Sequence, residues 1–430
     1  LTAYVLTKVS VTVYAGALVF QTLLPDTFGS PQNAFWVGAI TTVTLTGLYT
    51  VAGGLRAVLY TDLLQTIILL IGSTAITYFG LIELGGFNEL RVFASENVAQ
   101  YALWRPLSDP DFPWLGILIA SPIVGIWYWC TDQYIVQRTL AAKDLKTARR
   151  GALLGAFFKV WPVLIFLVPG LIGAALNAKG ILEISIDTNG KIIGDQVFPT
   201  MVATLLPEGL RGLVVAGIIA ALMSSLSSLF NSTATLFTLD IYKKIKPKVS
   251  EQKLVLIGRM ATLVVVVFGL LWIPIMPMIS KGGLYQYLQS VQGYLAPPIT
   301  AVFLLGLFNS RINNKGATWG LSLGFFAGML KLIIQAFFGK EKIANPELLA
   351  YIGDINFLYF SGILFLFCVL LICLVSYQTE LPDENQIDGL TYQTIDKEAI
   401  RESWDQKDIY ATGVILGLVL AIYLYFSFWI

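Results

Sequence analysis

Residues 218–242 read IIAALMSSLSSLFNSTATLFTLDIY. The segment is long and apolar enough to cross a bilayer, yet it carries hydroxyls and one amide on consecutive helical turns. At about 100° per residue, Ser224, Ser228, Asn231 and Thr235 share one helix face, and Ser225, Ser228 and Ser232 share the face beside it. Leu222, Leu226, Leu229 and Phe237 are left for lipid or packing. A hard monovalent cation stripped of water needs several oxygens, and a kinked membrane helix offers hydroxyls together with carbonyls released from the ladder. The Ala221 carbonyl, Ser224 and Ser225 are the candidate ligands of such an ion. The stripe also fits a plainer role, in which small hydroxyl residues let helices approach closely and bond across the interface.

The rest of the chain has the same apolar character. Of 430 residues, 56% are hydrophobic and 13% charged, a balance that describes an integral membrane protein. A formal net charge of +1 provides no global field to attract nucleic acid. Histidine does not occur, which removes the commonest general base, proton relay and metal ligand together. Cys130, Cys368 and Cys373 lie in or beside apolar stretches, without zinc-ligand spacing or a disulfide framework. The sequence has no GxxxxGK loop for a nucleotide phosphate, which argues against an ATP-driven pump.

Apolar runs of near 20 residues predict about eleven spans. They fall at 1–24, 34–51, 58–81, 115–134, 152–176, 210–239, 254–279, 284–308, 316–338, 357–377 and 410–430. The chain opens on Leu1 inside an apolar run with no charged leader, and is read as a fragment whose preceding part is also membrane-embedded. Basic residues orient the spans, because cytoplasmic loops keep an excess of them. Arg138, Lys143, Lys146, Arg149 and Arg150 follow the fourth span; Lys243, Lys244, Lys246 and Lys248 follow the sixth; Arg56, Arg311 and Lys315 lie in loops of the same parity. These loops are predicted to be cytoplasmic, together with the acidic stretch 379–408, and the C-terminus external. In loop 177–208 the turn signal Asp187-Thr188-Asn189-Gly190 predicts an external hairpin or cap.

Ionisable residues inside spans are costly and are functional candidates by default. Here they are Lys8, Asp62, Lys159 and Lys331. Lys159 is the deepest, with Pro162 and Pro169 beyond it to loosen the helix. Asp62 follows a cytoplasmic turn and has Gln65 three residues on; it either guards an inner ion vestibule or pairs with Arg56 or Arg138. Lys331 stands two turns from the end of its span, where snorkelling accounts for it. Two aromatic and amide clusters complete the set: Trp127, Tyr128 and Trp129 before Cys130-Thr131-Asp132-Gln133, and Tyr285-Gln286-Tyr287 before Gln289, Gln292 and Tyr294. Amides bidentate to hydroxyls and rings against CH faces suit a small uncharged polyol. An interfacial aromatic belt is the alternative for the tryptophans and Tyr294.

Four stretches, ALMSSLSSLFNSTATLFTLDIY, WYWCTDQYIVQRTLAAK, GGLRAVLYTDLLQT and YLAPPITAVFLLGLFNSRINNKGATWG, resemble the sodium/solute symporter family, and within it the sodium/glucose cotransporter branch. With KVSVTVYAGALVF near the start, the similarity covers nearly the whole chain. WYWCTDQ followed by VQR is the most branch-specific element, resembling carriers of sugar and inositol rather than of proline or iodide.

The resemblance implies an all-α membrane protein with the inverted-repeat sodium symporter fold, five helices repeated in opposite topology plus extra helices. Residues 1–84 would be helices three to five of the first repeat, 113–308 the second repeat and 309–430 additional helices, all in one transmembrane domain. It assigns sodium, the coupling ion, to Ala221, Ser224 and Ser225, with Asp62 on the ion's exit path towards the cytoplasm. Lys159 and Gln289 take sugar-contacting positions, Tyr128 the inner gate and Tyr285 an outer aromatic position. One turn before Tyr128 the family often has a polar residue where this chain has Gly125, so hexose identity does not carry over. The expected function is sodium-coupled symport of a sugar or related polyol across the cell membrane by alternating access. The rivals are a membrane receptor that binds the same solute without moving it, and a membrane enzyme, which has little to work with here.

Overall fold

A computed structural model describes residues 2–25, 27–186, 192–272, 284–338 and 347–430. Its main helices, in chain order, are α1 (Thr2–Leu23), α2 (Pro31–Leu84), α3 (Phe87–Glu96), α4 (Trp114–Ile126), α5 (Gln133–Leu140), α6 (Leu145–Pro162), α7 (Val168–Ala178), α8 (Val197–Leu205), α9 (Glu208–Thr235), α10 (Glu251–Trp272), α11 (Leu284–Phe308), α12 (Asn314–Phe338), α13 (Glu347–Asp354), α14 (Phe357–Gln378) and α15 (Gln406–Ser427). Ten segments among the described residues are long and apolar enough to cross a membrane, and Lys8–Leu23 is a shorter apolar helix in the place of the first expected span. The protein is a multi-pass membrane protein. The hairpin expected at 187–190 and the end of the span expected at 254–279 lie outside the described residues; Ile186 and Ile192, which flank that hairpin, form an antiparallel bridge.

The second and third expected spans share the single helix α2, whose hydrogen-bonded backbone continues through Gly53 and Gly54. That helix bends. A Cβ built on Gly16 would lie 3.6 Å from Thr42 Oγ1 and 3.5 Å from Leu222 Cδ1, while one built on Gly217 would lie 2.8 Å from Ile68 Cγ2. Along a straight helix Thr42 and Ile68 would be about 39 Å apart, far more than their neighbours on α9 allow. The axis therefore turns between them, in the stretch that holds the Gly53-Gly54 pair, the residue type at which sharp helix bends concentrate.

The chain forms two compact units. The first comprises Leu1–Tyr101, Leu154–Tyr285 and Leu418–Ile430. In it α2 and α9 run antiparallel in close contact, because Gly217 admits Ile68 and Gly72 admits Val214; small residues replace the missing hydrophobic drive between helices in lipid. Ile76, Leu90, Ile172, Met201 and Val202 are buried in its core, together with Trp429. At one end Lys179 pairs with Glu89 at 2.8 Å, and Arg91 Nε donates to the Trp429 carbonyl at 2.7 Å.

The second unit comprises Ala102–Leu153 and Gln286–Gly417. Its helix α12 carries Gly316, Gly320, Gly324 and Gly328 on one stripe, and a Cβ on these would overlap Ser376, Ile372, Cys368 and the Tyr294 carbonyl respectively. The Thr300 hydroxyl donates to the Ile123 carbonyl at 2.8 Å and joins α11 to α4. At one end of this unit Arg150 meets Asp405 and Asp408, and Arg311 donates to the Thr379 carbonyl at 2.8 Å. At the other, Asn356 donates to the carbonyls of Pro110 and Asp111. The basic loop after the fourth expected span and the acidic stretch thus share an end, as the charge pattern requires.

Lys331 does not snorkel. Its side chain is 1% exposed, and its ammonium donates to the Gly353 carbonyl at 2.7 Å beneath the rings of Tyr294 and Phe360, each 5.8 Å away. A carbonyl and two ring faces satisfy the charge where it stands.

Candidate functional site

The hydroxyl stripe of α9 divides by hydrogen bonding into two groups. Ser227 and Ser228 both donate to the Ser224 carbonyl at 2.9 Å, Ser232 and Thr233 to the Leu229 carbonyl at 3.0 and 2.8 Å, and Thr235 to the Asn231 carbonyl at 2.9 Å. Ser227, Ser228 and Ser232 are buried. Hydroxyls bonded back to their own helix in this way are packing elements.

Ser224 and Ser225 behave differently. The Ser224 hydroxyl leaves its own helix and donates to Asp62 Oδ1 on α2 in a short hydrogen bond. Among the described residues the Ser225 hydroxyl makes no hydrogen bond and is half-buried. Tyr49 on α2 donates to the adjacent Met223 carbonyl at 2.9 Å. The structure thus joins one expected ion ligand to the expected exit-path carboxylate, through the glycine contacts that bring α2 against α9. A carboxylate, two hydroxyls and the carbonyl end of this turn are hard oxygen donors of the kind a sodium ion takes. The helix through Ala221, Ser224 and Ser225 is regular, however, and its irregular π turn lies further on, at Leu236–Tyr242. The distortion expected around Ala221 is not where the helix departs from α geometry.

Lys159 also lies in the first unit, exposed in the last turn of α6. Immediately after it the helix widens into a π turn at Val163–Leu167, bounded by Pro162 and by Pro169 one residue into α7. Prolines that remove backbone donors loosen the ladder here as the sequence predicts.

The aromatic clusters lie just after α4 and on α11. Trp127–Thr131 forms another π turn, which ends where Asp132 goes extended and caps α5 by accepting from Tyr134 N at 3.2 Å. In it Trp127 is buried and Trp129 exposed, with Tyr128 half-buried between them, its ring edge-on to Trp129 at 5.3 Å. On α11 Tyr285 is exposed, and the half-buried Gln289 amide makes no hydrogen bond among the described residues. Tyr294 is neither belt nor solute contact: it is 1% exposed, packs with Phe357 and Leu358, and donates to Gln335 in a short hydrogen bond. Sequence reasoning missed the link from Gln286 to Asp111 Oδ1 at 3.0 Å, which ties the loop before α4 to the helix of Gln289. Its only signal was the polar residue one turn before Gln289.

A conserved-family model described as the sodium:solute symporter family matches residues 1–324. The human "Sodium/myo-inositol cotransporter 2" is 38% identical over 413 residues, covering 91% of this chain and 60% of that protein. The "Sodium/glucose cotransporter 4" of Danio rerio is 36% identical, covering 91% of this chain and 62% of that protein. The chain thus spans about 60% of the length of the curated relatives it matches. A solved structure of a Na+-coupled sialic acid symporter, in a substrate-bound outward-open state, superposes with a TM-score of 0.68 at 22% identity over 89% of this chain and 74% of that one. The fold is therefore that of a sodium symporter, and with the family match extending over three quarters of its length the chain belongs to the sodium:solute symporter family.

Proposed function

We propose that this chain forms the membrane body of a sodium-coupled symporter for a small neutral solute, a sugar or related polyol, in the cell membrane. The observation that carries the reading is the Ser224–Asp62 hydrogen bond beside a Ser225 hydroxyl left free of its own helix. They support the reading because a carboxylate and hydroxyl oxygens lie among the residues to which the family resemblance assigns the ion, while Ser227, Ser228 and Ser232 bond back to their own helix. In this reading sodium is coordinated by oxygen lone pairs of the Ala221 carbonyl, Ser224 and Ser225, while the Ser224 hydrogen stays on Asp62, whose carboxylate attracts the ion towards the cytoplasm. The names of the relatives, cotransporters of myo-inositol and glucose, support a polyol or sugar as the solute. Gln289, whose amide makes no hydrogen bond among the described residues, suits paired hydroxyls, and Tyr128, in the same unit, is read as the cover on the cytoplasmic side; the roles of Lys159 as a further donor and of Tyr285 as the outer aromatic rest on the family resemblance alone. Transport couples because occupancy of one site favours the conformation that holds the other. No bond is made or broken, and the chain acts as a carrier rather than an enzyme. Residues 1–84 and 113–308 are read as parts of two inverted repeats, and 309–430 as added helices.

The test is counterflow of labelled myo-inositol and glucose in proteoliposomes carrying the complete gene product. Uptake driven by an inward sodium gradient and lost when potassium replaces sodium supports symport. Saturable binding with no counterflow points instead to a receptor.

A further inference from the structure

In the loop before α4 the backbone of Asp111 is held from both sides. Its N–H donates to Asp109 Oδ1 at 3.0 Å, an oxygen that also accepts from Phe112 N at 2.7 Å and from Arg105 Nη1 at 3.2 Å. Its carbonyl accepts from Asn356 Nδ2 at 3.1 Å, and the other side of that amide caps α14 by accepting from Leu358 N at 2.9 Å. The half-buried Asp111 carboxylate therefore projects from a fixed post.

That carboxylate accepts from Gln286 Nε2 at 3.0 Å, and the bond sets which way the Gln286 amide points. A carboxylate accepts and does not donate, so the NH2 side faces Asp111 and the carbonyl oxygen Oε1 is turned away from it. Gln286 is half-buried, and its Oε1 makes no hydrogen bond among the described residues. Gln289 follows three residues later on the same helix α11, so the two amides are neighbours on one face, about 4.5 Å apart along the axis. Asp111, Gln286 and Gln289 all belong to the second unit. An acceptor of fixed direction beside an amide that both donates and accepts suits adjacent hydroxyls of a polyol, each of which brings a hydrogen and lone pairs. A loose glutamine loses side-chain freedom when it binds; the bond to Asp111 takes that loss beforehand.

We propose that Gln286 is a second solute-binding amide beside Gln289, with Asp111 as the positioning residue that turns its carbonyl oxygen towards the solute. The pair favours a hydroxyl donor at this position and disfavours a carboxylate, whose oxygens would meet an acceptor backed by the Asp111 charge. The proposal rests on the reading of Gln289 as a solute contact.

The experiment measures uptake of labelled myo-inositol and glucose at saturating sodium, per reconstituted molecule of the complete protein. Gln286→Ala is expected to raise the half-saturating solute concentration about tenfold, the scale of one lost hydrogen bond. Asp111→Ala, which frees the amide without removing it, raises it about threefold. Gln286→Glu sets two carboxylates against each other and weakens binding; adding Asp111→Asn restores it, because the asparagine donates to one glutamate oxygen while the other still accepts from the solute. In the Gln289→Ala background Gln286→Ala weakens binding further. No further loss there would make Gln286 a mere support for Gln289 and overturn the contact. A link that only aids folding lowers the yield of reconstituted protein and leaves half-saturation at the wild-type value in every Gln286 and Asp111 variant. If Gln289→Ala shifts half-saturation while those variants do not, the second contact is overturned and the pocket stands. If Gln289→Ala has no effect either, the pocket reading falls and the role of Gln286 falls with it.

Discussion

Ser224 on α9 and Asp62 on α2, 162 residues apart in sequence, meet in a short hydrogen bond within one unit of the fold. The hydroxyl that stands among the expected ion ligands is therefore also a ligand of the carboxylate on the expected exit path. The hydrogen bond uses the Ser224 hydrogen and leaves its oxygen lone pairs for an ion, so the carboxylate orients the hydroxyl. Asp62→Asn keeps the shape and removes the charge. It should leave solute affinity at saturating sodium near wild type, raise the sodium concentration for half-maximal uptake, and slow sodium release into vesicles of low internal sodium. Unchanged sodium dependence in this variant would detach Asp62 from the ion's route.

The solute site is tested separately by Gln289→Ala. Its amide makes no hydrogen bond among the described residues, so truncation leaves bound solute hydroxyls unpaired without breaking a packing bond. Solute binding should weaken by roughly 1–3 kcal/mol, read as the shift in half-saturating solute at fixed high sodium. An unshifted value would remove Gln289 from the pocket.

Much of this architecture is legible in the sequence because it is periodic. Apolar runs give the spans, the proline pair around Val163–Leu167 gives a loosened ladder, and basic loops give a common end for Arg150, Asp405 and Asp408. Pairings between distant segments are not legible in the same way. The Ser224–Asp62 bond depends on the bend of α2 and on Ile68 settling over Gly217, neither of which any local pattern fixes. Lys331 was misread for the same reason: distance from the span's end suggests an escape to the interface, but Gly353, Tyr294 and Phe360 come to it from three other helices. The stripe on α9 shows the converse limit, since every hydroxyl looks alike until the backbone shows which are already used.

Tyr128 should act through its ring more than its hydroxyl. It stands in a π turn, held edge-on to Trp129, a frame that can swing the ring as the turn tightens. Tyr128→Phe should keep more uptake than Tyr128→Ala, because the ring supplies cover over the solute. Alanine transporting as well as wild type would make the residue packing alone.

The glycine stripe of α12 gives a stability prediction independent of transport. A Cβ on Gly320 overlaps Ile372, and one on Gly324 overlaps Cys368 and Pro298. Gly324→Leu should lower the melting temperature in detergent, corresponding to about 1–3 kcal/mol or more of overpacking. Gly417→Leu, where nothing lies within 4 Å, should melt like wild type. Equal melting of the two variants would mean that α12 and α14 do not pack as described.

Acid should loosen the pairing of Arg150 with Asp405. The Lys407 backbone N–H, bonded at 3.1 Å, and then Lys146 and Arg150 hold its carboxyl below the usual carboxylate range. A lowered folded-state value gives stabilisation that is complete above the unfolded pKa of about 4 and is lost as pH falls through the folded value. The melting difference between wild type and Asp405→Asn should thus be constant from neutral pH to about 4 and shrink below it. Salt should reduce it, since the pair is partly exposed. A difference that persists in acid would show that charge is not its source.

The ion site itself is decided by Ser225. Ser227 is unsuitable as a comparison, because its hydroxyl donates to the Ser224 carbonyl and so belongs to the same turn. Ser232 is the better one: buried, on the same helix, and bonded to the Leu229 carbonyl at 3.0 Å, two turns away. Ser225→Ala removes a hydroxyl that packing does not use, so it should barely alter melting temperature. As an ion ligand it should raise the sodium concentration for half-maximal uptake, and saturating solute should recover part of that loss through reciprocal coupling. Ser232→Ala should do the opposite, lowering stability slightly by leaving a small void while sodium dependence stays put. Ser224→Ala should resemble Ser225→Ala in sodium dependence but also remove a hydrogen bond from Asp62, so its added effect should be smaller in the Asp62→Asn background than with Asp62 intact. Identical sodium curves for Ser225→Ala and Ser232→Ala would assign the whole stripe to helix packing and move the ion elsewhere in the fold.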